Sequence, residues 1–393
     1  MVLGNDVVLR QFGRNATMKK QSPSRLHRGL TRRSLLQSAG ALLSVPFIAK
    51  ATTARAQEKL AGSGDVVVFT YGGSYTQGVR NYVYGPFTKA TGIAVVDVTA
   101  DVAEPQVRAM SYAGRVDWDV ALVDGQNYRS MHEAGFFQPV DYGLWDDDAL
   151  EGVPPSARLN DAVVAFRSTT LLAYDQRSFP KAGPQDWADF WSLMAFPGPR
   201  GFSPIARHMV LALAADGVPG SDRWPLTDDK IDRALNKLAE IKPNIAKWWT
   251  AGGEPVQALI NRESVMTSCY DGRALSAIRQ GASIRMVWSG ANLVYVYWTV
   301  LKGGPNNRNA QKFVAFLNRA QSAAAFTLGT NLTGPNVNQL QHLPANLIPL
   351  LSITEGNASQ VVPQDDTWLA DKRPDGKTNI DHLQERWLAW RAQ

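Results

Sequence analysis

The stretch from residue 66 to 98 constrains the fold more than any other part of the chain. Val66-Val67-Val68-Phe69 is an unbroken apolar run of the kind that fills a buried strand. It stops at Tyr71-Gly72-Gly73-Ser74-Tyr75, where two glycines free the backbone for a tight turn. Ser74 is placed to cap a helix carrying Val79, Tyr82, Val83 and Phe87 at helical spacing, and Thr91-Gly92 is placed to close it. Ile93-Ala94-Val95-Val96-Asp97-Val98 reads as a second strand. Two strands joined by a helix within about thirty residues form a βαβ unit with parallel strands. Ligands of such sheets gather at the carboxyl ends of the strands, here the 71–75 loop. A Gly-Gly pair also serves an ordinary strand-to-helix turn, so the loop alone assigns no ligand.

Extended to Asp101, the order strand, Gly-Gly-Ser-Tyr, helix, PFTKATGI, strand resembles the start of the periplasmic solute-binding proteins of ABC importers. The nearest likeness is to their spermidine/putrescine-binding (extracellular solute-binding family 1) type. Residues 86–96 are the most specific piece. The likeness continues in order through Trp118-Asp119-Val120, Glu133-Ala134-Gly135, Trp248-Trp249, Tyr270-Asp271-Gly272-Arg273, Tyr297-Trp298 and Gly334-Pro335-Asn336. The resemblance implies a two-lobed α/β fold of the type II periplasmic-binding-protein class. Each lobe would be a mixed, mostly parallel sheet flanked by helices, with the ligand cleft between lobes. It also implies a division into a discontinuous lobe 1 (57–166 and 297–393) and a lobe 2 (167–296).

Residues 1–56 read as an export signal. Thr31-Arg32-Arg33-Ser34-Leu35-Leu36 looks like a twin-arginine motif, 39–49 is a short, weakly apolar run, and Ala54-Arg55-Ala56 fits a small-residue cleavage site. The run is too short for a permanent membrane anchor, and a basic tail is the alternative. Met18 is a second candidate start. The segment holds ten Lys/Arg and one acid, Asp6, which inverts the charge argument: the whole chain carries +6, the remainder about −3. The excess base is therefore no footprint for nucleic acid, and no Lys/Arg stripe interleaved with aromatics follows. Cys269 is the only cysteine, so no disulfide framework forms, and the five scattered histidines give no metal-ligand spacing. No cofactor is expected.

The remaining elements follow from pattern. Strands are expected at 118–123, 162–166, 169–174, 264–269 and 294–300, the second and third separated by a break. Helices are expected at 105–112, 128–134, 187–195, 209–215, 228–241, 256–261, 274–280, 310–317, 320–326 and 380–390. Asp146-Asp147-Asp148 reads as a solvated turn.

A cleft that closes by hinge motion binds through aromatic walls and a few placed polar groups. Tyr71 and Tyr75 offer rings, and Gly73 and Ser74 offer backbone N–H groups at a helix start. Asp124 stands at the end of a buried strand. Of Trp248 and Trp249 one faces the core and one the cleft, with Trp249 taken as the wall although core packing suits either ring. Tyr270 and Arg273 emerge where another buried strand ends; in the resembled group an aromatic at the Tyr270 position stacks on the ligand. Arg273 suits either a bidentate grip on a carboxylate or phosphate or a salt bridge that pins the loop. Tyr295 and Tyr297 share one face of a strand and Trp298 takes the other.

Departures from the polyamine pattern bear on the solute. A diamine needs carboxylates for its ammonium ends. The positions that supply them in the resembled group hold Pro204, Arg207, Arg273 and Val296 here, and a loop tryptophan is replaced by Gly72. An amino acid-like or carboxylate-bearing solute, held by Arg207 or Arg273 opposite Asp124, suits this set better than a polyamine. The leading expectation is a monomeric periplasmic receptor that hands a small solute to an ABC permease in the inner membrane. An exported enzyme on a related fold is the alternative, but no Gly-x-Ser-x-Gly, Cys/His pair or metal cluster supports it. A receptor feeding chemotaxis or a sensor kinase would share the binding step.

Overall fold

The computed structural model describes residues 59–393. The twin-arginine motif, its cleavage site and Met18 lie outside the described residues. The opening unit forms as its pattern dictates. β1 (Asp65–Thr70) and β2 (Ala94–Thr99) pair in parallel, with Asp65 opposite Ala94 and Thr70 opposite Thr99. The helix between them runs as Gly73–Val79, a π-helical turn Arg80–Tyr84, and Gly85–Thr91, and Gly92 ends it in the left-handed region (φ 81°). Two details differ from expectation. Ser74 does not cap the helix: Gly72, at φ 79°, holds the cap position and no side chain bonds the first N–H groups. The π turn changes the helical phase, so Tyr82 points outward, 43% exposed, while Val79, Val83 and Phe87 are buried.

Ten strands among the described residues form one mixed sheet. Beyond β1 and β2 they are β3 (Val120–Asp124), β4 (Phe137–Gln138), β5 (Val163–Asp175), β6 (Arg200–Phe202), β7 (Ile245–Trp248), β8 (Met266–Tyr270), β9 (Ile284–Leu301) and β10 (Val362–Pro363). The order is β2-β1-β3-β9-β5-β8-β6-β7, with β4 and β10 also paired to β9. Each end of the sheet is a parallel triplet, and the two triplets meet at the antiparallel pair β9 and β5. The expected break between 166 and 169 is absent: β5 is continuous, and register shifts at 164/166 and 170/172 accommodate it instead.

Both long strands serve two cores. β5 contributes Val163, Val164 and Phe166 to a cluster with Val68, Phe87, Trp298 and Phe313. Farther along it contributes Leu172 to a second cluster with Trp187, Phe202, Leu238 and Trp387. β9 gives Val296 and Trp298 to the first cluster, and Ala291 and Leu293 to a smaller third one. Leu369, Leu383, Trp387 and Trp390 pack in the second cluster, so the last part of the chain does not pack with 57–166 as the division at 297–393 expects. That departure has a simple source: helix Asn379–Arg391 carries its tryptophans at helical spacing, and their rings meet Trp248 edge to face (Trp387 at 5.9 Å, Trp390 at 6.2 Å). The 146–148 acids are also more than a solvated turn. Asp146 caps helix Asp147–Gly152 and pairs with Arg319 at 3.0 Å, and Asp148 accepts the N–H of Ala320 at 2.9 Å.

Candidate functional site

A cavity of about 480 Å³ opens where the carboxyl ends of the two parallel triplets face each other. Its aromatic side is Tyr71, Tyr75 and Phe166. Tyr71 and Tyr75 meet edge to face at 5.2 Å, and Tyr75 leans on Phe166 at 6.5 Å. Burial raises both phenol pKa values well above the ordinary range, so the hydroxyls stay protonated. The Tyr75 hydroxyl is buried and has no hydrogen-bond partner among the described residues. The floor is Ser168 of β5 with Val294 and Val296 of β9, where the two crossing strands pass beneath the cavity.

The charged groups converge from both triplets. Asp124, the last residue of β3, caps helix Gly125–Glu133 by accepting the Gln126 N–H at 3.2 Å, while its own N–H donates to Glu104 Oε1 at 2.8 Å. Arg207, in the 3-10 turn Ala206–Met209, donates from Nη1 to Gln126 Oε1 at 3.3 Å. Its Nε is buried without a partner. Tyr270 ends β8 and stands edge-on to Trp249 at 5.4 Å. Burial raises its hydroxyl pKa; the charges of Arg207 and Arg273 oppose the rise and that of Asp124 adds to it, and all four residues line the one cavity. Arg273, in the first turn of helix Asp271–Arg279, lines the cavity, and none of the described side chains pairs with it.

Asp271, the other acid at this strand end, has a structural task. It is buried, accepts the N–H groups of Thr169 (3.1 Å) and Gly272 (2.8 Å), and so ties β8 to β5. Burial pushes its carboxyl up to about 7 against the pull of those N–H groups and of Arg167.

Of the residues singled out in the sequence, Tyr71, Ser74, Tyr75, Asp124, Arg207, Tyr270 and Arg273 line this cavity together. Four do not. Gly73 begins the helix without reaching the cavity wall. Trp249 is 1% exposed; it donates from Nε1 to Ser268 Oγ at 3.2 Å and supports Tyr270 from behind. Tyr295 and Tyr297 sit on the face of β9 opposite Val294 and Val296, and Tyr297 packs on Tyr128 at 5.0 Å. Neither Pro204 nor Gly72 lines the cavity.

Sequence reasoning missed Asp101, Phe166, Ser168, Ser276 and the turn 329–332. The turn had a signal: Asn331 closes helix Ala320–Thr330 in the left-handed region, φ 61°, a position that favours Asn or Gly. That helix meets helix Gly73–Val79 at Gly329 and Gly78, where the backbones approach too closely for a side chain.

The family description "Bacterial extracellular solute-binding protein" matches residues 83–343. A gamma-aminobutyric acid-binding protein of Pseudomonas aeruginosa is 30% identical over 357 residues, 89% of this chain and 96% of that protein. Among solved structures, an ABC transporter protein from Rhodopseudomonas palustris is 29% identical with a TM-score of 0.71, over 83% of this chain and 99% of its own. The structure of a GABA receptor is 26% identical with a TM-score of 0.72, over 84% of this chain and 98% of its own. With a mixed sheet, two parallel triplets and a cavity between their carboxyl ends, the chain belongs to the bacterial extracellular solute-binding protein family and is a two-lobed solute receptor of an ABC transporter.

Proposed function

We propose that the protein captures an amino acid-like zwitterion in the periplasm and delivers it to an ABC permease in the inner membrane. It acts as a monomer, by binding without chemistry, and reaches the periplasm through the twin-arginine route that residues 31–36 suggest. The solute's carboxylate pairs with Arg273 and Arg207, its ammonium group faces Asp124, and Tyr71, Tyr75 and Tyr270 strip water from the chain between them. The observation that carries this reading is the unpaired Arg273 beside the unsatisfied Arg207 Nε in a cavity that also holds Asp124. The Arg207 Nε is shut off from water without an acceptor, and a solute carboxylate supplies one. The gamma-aminobutyric acid-binding relative supports the same class. A polyamine of the spermidine/putrescine type fits poorly, because Arg207, Arg273 and Val296 face the cavity where its ammonium ends would need acids. Titration calorimetry on the protein without residues 1–56 tests the choice. Gamma-aminobutyric acid or a related ω-amino acid should bind at least about tenfold more tightly than putrescine or spermidine, a difference of about 1.4 kcal/mol. Tighter polyamine binding overturns the proposal.

A further inference from the structure

The turn that carries Arg207 is held from behind by a buried histidine. A 3-10 turn sends successive side chains in three directions and returns to the first after three residues. In Ala206–Met209, Ala206 and Met209 go into the second cluster and His208 into a polar pocket of its own, each 1% exposed or less. Arg207 is the residue left to reach the cavity. Its guanidinium has one hydrogen bond, to Gln126, and a buried Nε without an acceptor, so the turn beneath it does much of the aiming.

Among the described residues His208 is the only buried histidine, and both of its ring nitrogens are engaged. Nδ1 lies 2.7 Å from Ser203 Oγ and Nε2 lies 3.0 Å from Thr170 Oγ1, and both hydroxyl residues are buried. Burial holds the imidazole pKa well below its ordinary value and the charge of Arg207 adds to the fall, so the ring is neutral. A neutral ring has one N–H donor and one bare acceptor, and a hydroxyl on each side can give or take accordingly. Ser203 directly follows β6; its Oγ also accepts the Ile205 N–H at 3.2 Å, and the His208 N–H donates to the Ile205 carbonyl at 3.0 Å. Thr170 belongs to β5, where it stands opposite Tyr270 of β8 and shares a strand face with Ser168 of the cavity floor. Because β8 lies between β5 and β6 in the sheet, the ring straddles the end of the strand that delivers Tyr270, and it stands edge-on to the Tyr270 ring at 6.3 Å.

We propose that His208 is a positioning residue of the solute site: by bridging Ser203 and Thr170 across the end of β8, it fixes the turn so that Arg207 meets the solute carboxylate in register with Tyr270. The inference rests on the carboxylate-bearing solute proposed above. Without the ring, two buried hydroxyls lose a partner and the turn loses its tie to the strand that floors the cavity.

The test is a double-mutant cycle read by titration calorimetry with gamma-aminobutyric acid. His208→Leu and Arg207→Gln should each weaken binding about tenfold, and the double variant should be no weaker than Arg207→Gln alone, since no guanidinium is left to aim. The His208→Leu loss should instead add to that of Arg273→Ala, and His208→Gln, whose amide can keep one of the two bonds, should recover part of it. Should the leucine variant not fold, Thr170→Val removes one arm of the bridge and keeps its shape; it should weaken binding several-fold, again without adding to Arg207→Gln. Unchanged affinity in these variants, or losses that add fully to that of Arg207→Gln, overturn the inference and leave the receptor reading standing. Unchanged affinity in Arg207→Gln removes the carboxylate from Arg207 and takes the inference with it, and failure of every ω-amino acid to bind the unmodified protein takes down both readings.

Discussion

The glycine contact between helices Gly73–Val79 and Ala320–Thr330 yields a sharp prediction. A Cβ at Gly78 would lie 2.7 Å from the carbonyl carbon of Gly329, and a Cβ at Gly329 would lie 2.8 Å from the carbonyl oxygen of Gly78 and 3.0 Å from Tyr82 Cβ. Ordinary contact needs 3.4 to 4 Å, and the obstructing atoms are mostly backbone, so the helices must part. Overpacking of this kind costs about 1–3 kcal/mol. Alanine also gains about 0.5–1 kcal/mol of helix propensity over glycine, which opposes the clash. The clash should win, leaving Gly78→Ala destabilised by about 0.5–2 kcal/mol and lowering Tm by roughly 2–6 °C. Because Thr330 and Asn331 follow Gly329 directly and line the cavity, the same shift should weaken solute binding. Thermal unfolding followed by circular dichroism and calorimetric titration read the two effects separately. A Gly78→Ala protein with Tm equal to or above the unmodified one would refute the reasoning, since it would mean that propensity outweighs the contact.

Arg273→Ala should leave the stability of the empty protein within about 0.5 kcal/mol, as no described side chain pairs with Arg273. The same change should weaken a carboxylate-bearing solute by about 1.5–3 kcal/mol, roughly ten- to hundredfold, in calorimetry. The Asp271 carboxyl lies near 7 in the folded chain and near 3.8 as the ordinary value, so its folded pKa is raised. Its contribution to stability is fully present below about pH 4 and is lost as pH rises through about 7. Asp271→Asn should therefore flatten the fall in urea-denaturation stability between pH 5 and 8, and an unchanged slope would remove Asp271 from the account. Trp249→Phe deletes the hydrogen bond to Ser268 Oγ and part of the support behind Tyr270; a stability loss of about 1–3 kcal/mol with a smaller change in affinity is expected.

The local pattern of the sequence carried much of this site. The strands that end at Thr70, Asp124 and Tyr270 are short and buried and are stopped by glycine or an acid, and the parallel triplets bring their carboxyl ends to one cavity. Features that depend on a partner elsewhere were not legible. The face of β9 that meets the cavity depends on its register with β5, and a one-residue offset exchanges Tyr295 and Tyr297 for Val294 and Val296. The continuity of β5 was hidden by its irregularities, which interrupt the period of two. The capping role of Gly72 in place of Ser74 turns on a positive φ that composition does not report. His208 lies 38 residues from Thr170, and nothing in its own neighbourhood signals that a hydroxyl on another strand completes its bonding.

The way β5 and β9 run through more than one core limits how this molecule can be taken apart. Among the described residues, β3 finds its antiparallel neighbour only in β9, and β8 finds its own only in β5. A fragment ending before residue 284 would leave the β1–β3 triplet with an open edge, and one beginning after residue 175 would do the same to the β6–β8 triplet. Neither half is therefore a self-sufficient folding unit. Heating should melt them in one calorimetric step, and cutting the gene at any loop between them should give two insoluble pieces that regain solubility only when produced together.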